Sequence, residues 1–315
     1  MTAVEVLRSD APLAEVFAAL RDADQDGLRF ARVFRDTFDQ LYDGQHTGRF
    51  RWEQLNKTEK THFGTLIEIN LRREFSDVID DGDLLDYRIC GFDIDCKYSQ
   101  KMGGWMLPPE CFDQLLIVAQ ASDDEGCWSV GLVRATQENR RTSENRDRKS
   151  GLNEHGRSQI VWLHYRSALP PNILLHLDDS IIKSILAKTS GQQRINELLR
   201  RVTNMRIGRN TIATLAQQAD YMKRLRDNGG ARGTLRAEGY LIPGGDYDVH
   251  KKVARDLGAM VPERGEVVSL RVTAASSTDE HAVALDGALW RLAGSDELVT
   301  MPAPRLPDTR NTRDS

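Results

Sequence analysis

Apolar side chains recur along this chain at two spacings, and the spacing changes where the expected elements change. Residues 12–20 and 28–42 predict helices; in the second, Phe30, Phe34, Phe38 and Leu41 return at helical intervals and mark a core face. Residues 58–75 predict a third helix, opened by Thr58 as its cap, with Phe63, Leu66, Ile67 and Leu71 as the apolar stripe. The period then falls to two. Residues 86–97 predict two short strands around a bend at Gly91, and 114–121 and 127–135 predict two more, joined by the polar turn Ser122-Asp123-Asp124-Glu125-Gly126. Residues 160–165 predict a last strand of this group. Helices followed by strands imply an α/β (α+β) domain with one mixed sheet.

The breaker Ala168-Leu169-Pro170-Pro171-Asn172 predicts a linker, and beyond it a mainly helical segment runs from about 179 to 228. Thr211 to Gln218 reads as a supporting helix, followed by a helix or pair of turns over 220–226 and another over 231–236. Glu238-Gly239-Tyr240-Leu241-Ile242-Pro243-Gly244-Gly245 has the form of a strand with a Gly-rich tip. Together these predict a winged, CAP-like helix-turn-helix. Strands over 267–273 and 283–292 would complete that domain. The expected organisation is a first domain over 1–166, a linker over 167–174, the winged domain over 175–301 and a disordered tail over 302–315.

Composition changes little. At 315 residues, 40% hydrophobic and 29% charged, the chain has room for about two soluble domains. Four cysteines, Cys90, Cys96, Cys111 and Cys127, show no zinc-type spacing and fit reduced, packed thiols. No signal-like or membrane-length apolar run occurs, so the expectation is a soluble, cytoplasmic protein without a membrane partner.

Charge matters through its distribution. The net charge is −4, yet residues 200–236 hold nine basic residues against two acidic ones, Asp220 and Asp227. Arg209, Lys223, Arg224, Arg226, Arg232 and Arg236 are the candidates there for contact with duplex DNA. The ordinary alternative is a basic surface hairpin of helices. Arg140 and Arg141, in the basic loop 137–159, are candidates for a phosphate clamp, or members of a merely solvated loop.

The candidate chemistry lies in the hairpin. Alternation puts Asp93, Asp95 and Lys97 on one face, and pairing of the two strands would bring Asp86 alongside Asp95. Two carboxylates and an amine on one sheet edge suit Mg²⁺ and a phosphodiester. A solvated strand face with a charge ladder would show the same residues. Glu68 flanks the stripe of its helix, near Thr61, Thr65 and Arg72, where an ion pair with Arg72 is the plain reading. Two local motifs are excluded by their missing residues. Asp22 to Gly27 opens like a calcium loop, but the twelfth position is Val33, so Asp26 is read as a helix cap. Leu41-Tyr42-Asp43-Gly44 resembles the Lys-x-Asp-Gly motif of DNA ligases, but Leu41 replaces the nucleophile, so Gly44 is read as a helix end.

Thr37-Phe38-Asp39-Gln40-Leu41-Tyr42-Asp43-Gly44-Gln45, Lys57-Thr58-Glu59-Lys60-Thr61-His62, and Asp86 with Asp95-Cys96-Lys97 together resemble the NaeI-type type II restriction endonucleases. The wider PD-(D/E)XK superfamily often has proline where this chain has Leu85. The resemblance implies a PD-(D/E)XK nuclease domain before the winged helix-turn-helix, with Glu68, Asp86 and Asp95 binding Mg²⁺ and Lys97 catalytic. It further implies a homodimer that cuts both strands of double-stranded DNA at a short GC-rich palindrome, activated by a second copy of the site, with no nucleotide cofactor. Two rival readings remain at this stage: a winged-helix regulator without catalysis, and a metal-dependent repair endonuclease.

Overall fold

The computed structural model describes residues 2–143 and 145–307. The chain starts with helices α1 (Ala3–Ser9), α2 (Ala11–Ala23), α3 (Leu28–Tyr42), the short α4 (Gly44–Thr47) and α5 (Lys57–Glu74). Phe30, Phe34 and Phe38 of α3 are fully buried, as their spacing predicts. The start of α3 is capped chiefly by Asp24, whose carboxylate accepts the Arg29 and Phe30 amides at 3.1 and 2.9 Å. Asp26 accepts only the Leu28 amide. Helix α5 begins one residue before Thr58: Asn56 is its cap, and the Asn56 amide donates to Glu59 at 2.8 Å. Gly44 does not end a helix but begins one. Asp43 takes the left-handed turn after α3, with φ 47°.

The strands that follow are β1 (Asp80–Asp81), β2 (Tyr87–Ile89), β3 (Phe92–Tyr98), β4 (Met106–Leu107), β5 (Leu115–Ser122), β6 (Cys127–Arg134), β7 (Ser150–Gly151) and β8 (Val161–Ala168), with a short α6 (Glu154–Ser158) before β8. Six form one sheet in the order β1-β2-β3-β5-β6-β8; β3 and β5 are parallel, the other pairs antiparallel. This is a mixed α/β arrangement. Every residue of β5 is buried, which explains its almost unbroken apolar run. Within the basic loop 137–159, β7 pairs with β4 and α6 follows.

The second half contains α7 (Asp179–Leu186), α8 (Gly191–Arg201), β9 (Arg206–Gly208), α9 (Arg209–Ala216), a 3-10 turn over Tyr221–Leu225, α10 (Ala231–Arg236), β10 (Tyr240–Leu241), α11 (Asp248–Asp256), β11 (Glu266–Val268), β12 (Leu270–Ala274), β13 (Val283–Leu285) and β14 (Ala288–Leu292). Ser269 divides what reads in sequence as one strand, because β11 pairs with β9 while β12 joins the sheet β10-β12-β14-β13. The helices close over Ile195, Leu198, Leu199, Ile212 and Leu235, and the small sheet over Val268, Leu270 and Val272.

Contacts divide the chain into two compact units, residues 1–41 with 51–171, and residues 42–50 with 172–315. The break at 171/172 lies inside the expected linker. The assignment of 42–50 to the second unit has no counterpart in the sequence reading. Its physical basis is close packing: a Cβ on Gly44 would stand 2.0 Å from Thr214 Oγ1 of α9, Phe50 is buried, and the Asn172 side-chain amide donates to the Phe50 carbonyl at 2.9 Å. The expected disorder from 302 onward fails at its start. Ala303 is buried against the small sheet and donates its amide to the Arg236 carbonyl at 2.8 Å. The rest of that expectation, 308–315, lies outside the described residues.

Candidate active site

The hairpin turn is made by Cys90 and Gly91, both with positive φ, 52° and 82°. Two such residues match the right-handed twist of the flanking strands. The register they set pairs Tyr87 with Ile94 and Arg88 with Asp93, so Asp86 falls opposite Asp95. Strand β3 is not the sheet edge expected from sequence, since β5 lies on its other side. It is open on the β2 side only beyond Ile94, where β2 has ended. There the Asp86 carboxylate stands in for a neighbouring strand and accepts the Cys96 amide at 2.8 Å.

Asp95 is almost completely buried at 4% exposure. Its Oδ2 contacts the Lys97 ammonium and accepts the Cys111 thiol at 3.1 Å. The Lys97 Nζ lies 3.8 Å from Asp86 Oδ2 as well, so one ammonium serves both aspartates. Burial pulls the Lys97 ammonium down, but its bond to Asp95 and the charges of Asp95, Cys111 and Asp86 outweigh that and hold it above its ordinary value. Lys97 is therefore a firm cation. Asp93, on the same face, lies apart from this group and faces Arg88, 3.4 Å away.

Helix α5 packs over β3 through Phe63, whose ring centroid lies 4.8 Å from that of Tyr98. The Tyr87 hydroxyl donates to the Glu68 carbonyl at 2.7 Å, which pins the helix above the hairpin. Glu68 does not pair with Arg72, which bonds Asp81 instead. The Glu68 carboxyl is raised, first by burial and then by the nearby charge of Asp86, with Asp95 adding to this and Lys97 opposing it. Asp86 is raised by burial, against the Cys96 amide that stabilises its anion, and by Asp95. The structure thus brings Glu68, Asp86, Asp95 and Lys97 into one electrostatic group.

Three carboxylates around one ammonium leave negative charge in excess, and oxygen-only donors suit a hard divalent cation. The residues fit Mg²⁺ in donor chemistry, while among the described residues no three acidic, histidine or cysteine side chains already converge tightly enough to hold an ion. Cys111 is the member that sequence reasoning missed. It lies sixteen residues from Asp95 with no telling spacing, and only the run from its 3-10 turn into β5, parallel to β3, brings it there.

The basic candidates behave differently from one another. Arg140 lies over the Phe112 ring, 3.6 Å from its centroid, next in the chain to Cys111, while Arg141 is exposed. In the second unit Arg209 pairs with Asp246 at 3.0 Å, Lys223 with Asp220 at 2.6 Å, and Arg224 bonds Gln218 at 2.7 Å. Arg226 is exposed. Arg232 and Arg236 line one cavity. No helix among the described residues is long and apolar enough to cross a membrane.

Comparison with known proteins bears on both units at once. The family model described as restriction endonuclease NaeI matches residues 14–301. A curated relative, the type II restriction enzyme NaeI of Lentzea aerocolonigenes, is 47% identical over 303 residues, covering 93% of this chain and 94% of its own length.

Proposed function

Because the chain belongs to the restriction endonuclease NaeI family, we propose that it hydrolyses both strands of double-stranded DNA at a short GC-rich palindrome, with Mg²⁺ as cofactor. In this reading the first unit is a PD-(D/E)XK nuclease domain with Glu68, Asp86, Asp95 and Lys97 as its site, and the second is a winged helix-turn-helix reader. The active form is a cytoplasmic homodimer, and a second DNA site on the winged domain activates cleavage. No nucleotide cofactor takes part.

The observation that carries this reading is the position of Lys97 between Asp86 and Asp95, with the Glu68 carboxyl feeling the charges of all three. Lys97 is charged at neutral pH, so it acts as a hydrogen-bond donor rather than a base. It steadies negative charge gathering on the phosphoryl oxygens as water adds to phosphorus and the P–O3′ bond breaks. Asp86 and Asp95 orient that ammonium, and the Cys96 amide fixes Asp86. Mg²⁺, held by Glu68, Asp86 and Asp95, would supply further neutralisation of the phosphate and would acidify the attacking water.

The test is cleavage of a plasmid in Mg²⁺. Wild type should give discrete fragments, while Lys97→Ala and Asp95→Ala should cut at least about a hundredfold more slowly yet still bind duplex in EDTA. Glu68→Gln should raise the Mg²⁺ requirement with little change in stability. Intact plasmid with the wild-type protein, nicking confined to damaged DNA, or full activity in either variant would each defeat the assignment.

A further inference from the structure

Asp86, Asp95 and Lys97 are placed by the register of one hairpin. Glu68 is not. It belongs to α5, and its place relative to the hairpin depends on what ties that helix down. Side chains alternate along β3, so Ile94, Cys96 and Tyr98 occupy the face opposite Asp95 and Lys97. Tyr87 pairs with Ile94 and therefore shares that face. Helix α5 covers it: Phe63 packs on Tyr98, and a Cβ on Gly64 would lie 3.8 Å from the Tyr98 Cβ. Apolar packing of this kind is non-directional, so it holds the helix against the sheet without fixing where one residue stands.

Tyr87 supplies the directional contact. It is fully buried, and its hydroxyl donates at 2.7 Å to the main-chain carbonyl of Glu68 itself. That is the residue whose carboxyl feels the charges of Asp86, Lys97 and Asp95. In a regular helix this carbonyl also serves the amide four residues on, so the Tyr87 bond adds placement and rescues no orphan group. The Cys96 thiol is a hydrogen-bond neighbour of the same hydroxyl, and the Cys96 amide holds the Asp86 carboxylate. A run of contacts thus joins Asp86, through Cys96 and Tyr87, to the main chain at Glu68.

We propose that Tyr87 is a positioning residue that sets Glu68 against Asp86 and thereby sets the affinity of the site for its divalent cation. This rests on the reading of Glu68, Asp86 and Asp95 as cation ligands. Tyr87 acts through the helix main chain, so its effect falls on uptake of the cation rather than on the chemical step. Partners that orient metal ligands change affinity about 10–100-fold, and a contact made through the main chain belongs at the lower end of that range.

The experiment uses the full-length protein with Tyr87→Phe, which keeps the ring in the core and removes only the hydroxyl. Tyr98→Phe is the control. It loses a comparable buried bond, to the Ala121 carbonyl at 3.0 Å, on the same face and under the same helix. Ca²⁺ binding is measured by calorimetric titration without DNA, and plasmid cleavage is measured against Mg²⁺ concentration. Tyr87→Phe should weaken Ca²⁺ binding about tenfold and raise the Mg²⁺ needed for half-maximal cleavage by the same factor. Its rate at saturating Mg²⁺ should stay within about twofold of wild type, because the same carboxylates then hold the cation. Tyr98→Phe should shift neither cation, even where it lowers thermal stability as much. In a Glu68→Gln background, Tyr87→Phe should add no further shift, since no carboxylate is left to place.

Unchanged Ca²⁺ affinity in Tyr87→Phe, with wild type cutting DNA, overturns the proposal and leaves the nuclease reading intact. An equal shift in Tyr98→Phe, or a loss confined to the saturated rate, overturns it as well. Where wild type cuts but takes up no Ca²⁺ without DNA, the Mg²⁺ dependence of the two variants decides by the same factors. A wild type that binds Ca²⁺ but cuts no DNA removes the nuclease reading alone, and the calorimetry still decides on Tyr87. A wild type that neither binds Ca²⁺ nor cuts removes the cation site, and the role of Tyr87 with it.

Discussion

Asp95 Oδ2 has two donors, the Lys97 ammonium and the Cys111 thiol. The thiol is fully buried and pushed well above its ordinary range by burial and by the Asp95 carboxylate it faces, so it is a neutral donor at working pH. Removing it frees Asp95 to rotate toward Lys97 alone. Cys111→Ala should slow cleavage roughly tenfold, the loss of one hydrogen bond to a charged group, and raise the Mg²⁺ needed for half-maximal rate. Cys111→Ser keeps a donor and should retain most of the rate, although a hydroxyl in this apolar pocket makes it no more stable than the alanine variant. Activity ranking with stability, alanine at or above serine, would show that Cys111 only fills space. The hairpin residues were readable in sequence because alternation alone puts Asp95 and Lys97 on one face. Glu68 was readable only through family resemblance, since helical neighbourhood favoured Arg72. Cys111 was not readable, because its contact is made across parallel strands.

At the scale of elements, the hairpin places the candidate site, and its turn is imperfect. Cys90 adopts a left-handed conformation that costs an ordinary residue about 1–2 kcal/mol. Its thiol gains little there, at 4.0 Å from the Glu15 carbonyl. Asn-Gly is the preferred pair for such a turn, so Cys90→Asn should stabilise the protein by about 0.5–1 kcal/mol in urea unfolding, with cleavage unchanged. A loss of stability would mean that Cys90 packs better than its exposure shows. The bend itself was legible from Gly91. The helix starts were less so: Asn56 and Asp24 took the capping roles assigned to Thr58 and Asp26, because several polar residues near each start can cap and only the backbone path selects one.

For the whole molecule, the two units do not follow the linear order of the chain. No shift in composition marks 42–50, and its neighbours are apolar-periodic on both sides, so sequence reasoning placed it with the first domain. Its role is checkable. Phe50→Ala should destabilise the second unit by about 3–5 kcal/mol, seen as faster hydrogen exchange at the α9 amides, with the amides of β5 unaffected. Equal effects on both would show that the segment serves the first unit. The same segment has a consequence for the order of events at the ribosome. Phe50 leaves the tunnel 122 residues ahead of Asn172, roughly ten seconds at ordinary rates of synthesis, and stays uncovered for that time. Tying two points so far apart in an open coil carries a loop-closure penalty, but the intervening stretch 51–171 belongs to the first unit. Once that stretch has folded, it no longer behaves as a loose loop, and the late-made helices find a prepared anchor. Synthesis therefore completes the amino-terminal unit first and the carboxy-terminal unit around a piece of chain kept waiting for it.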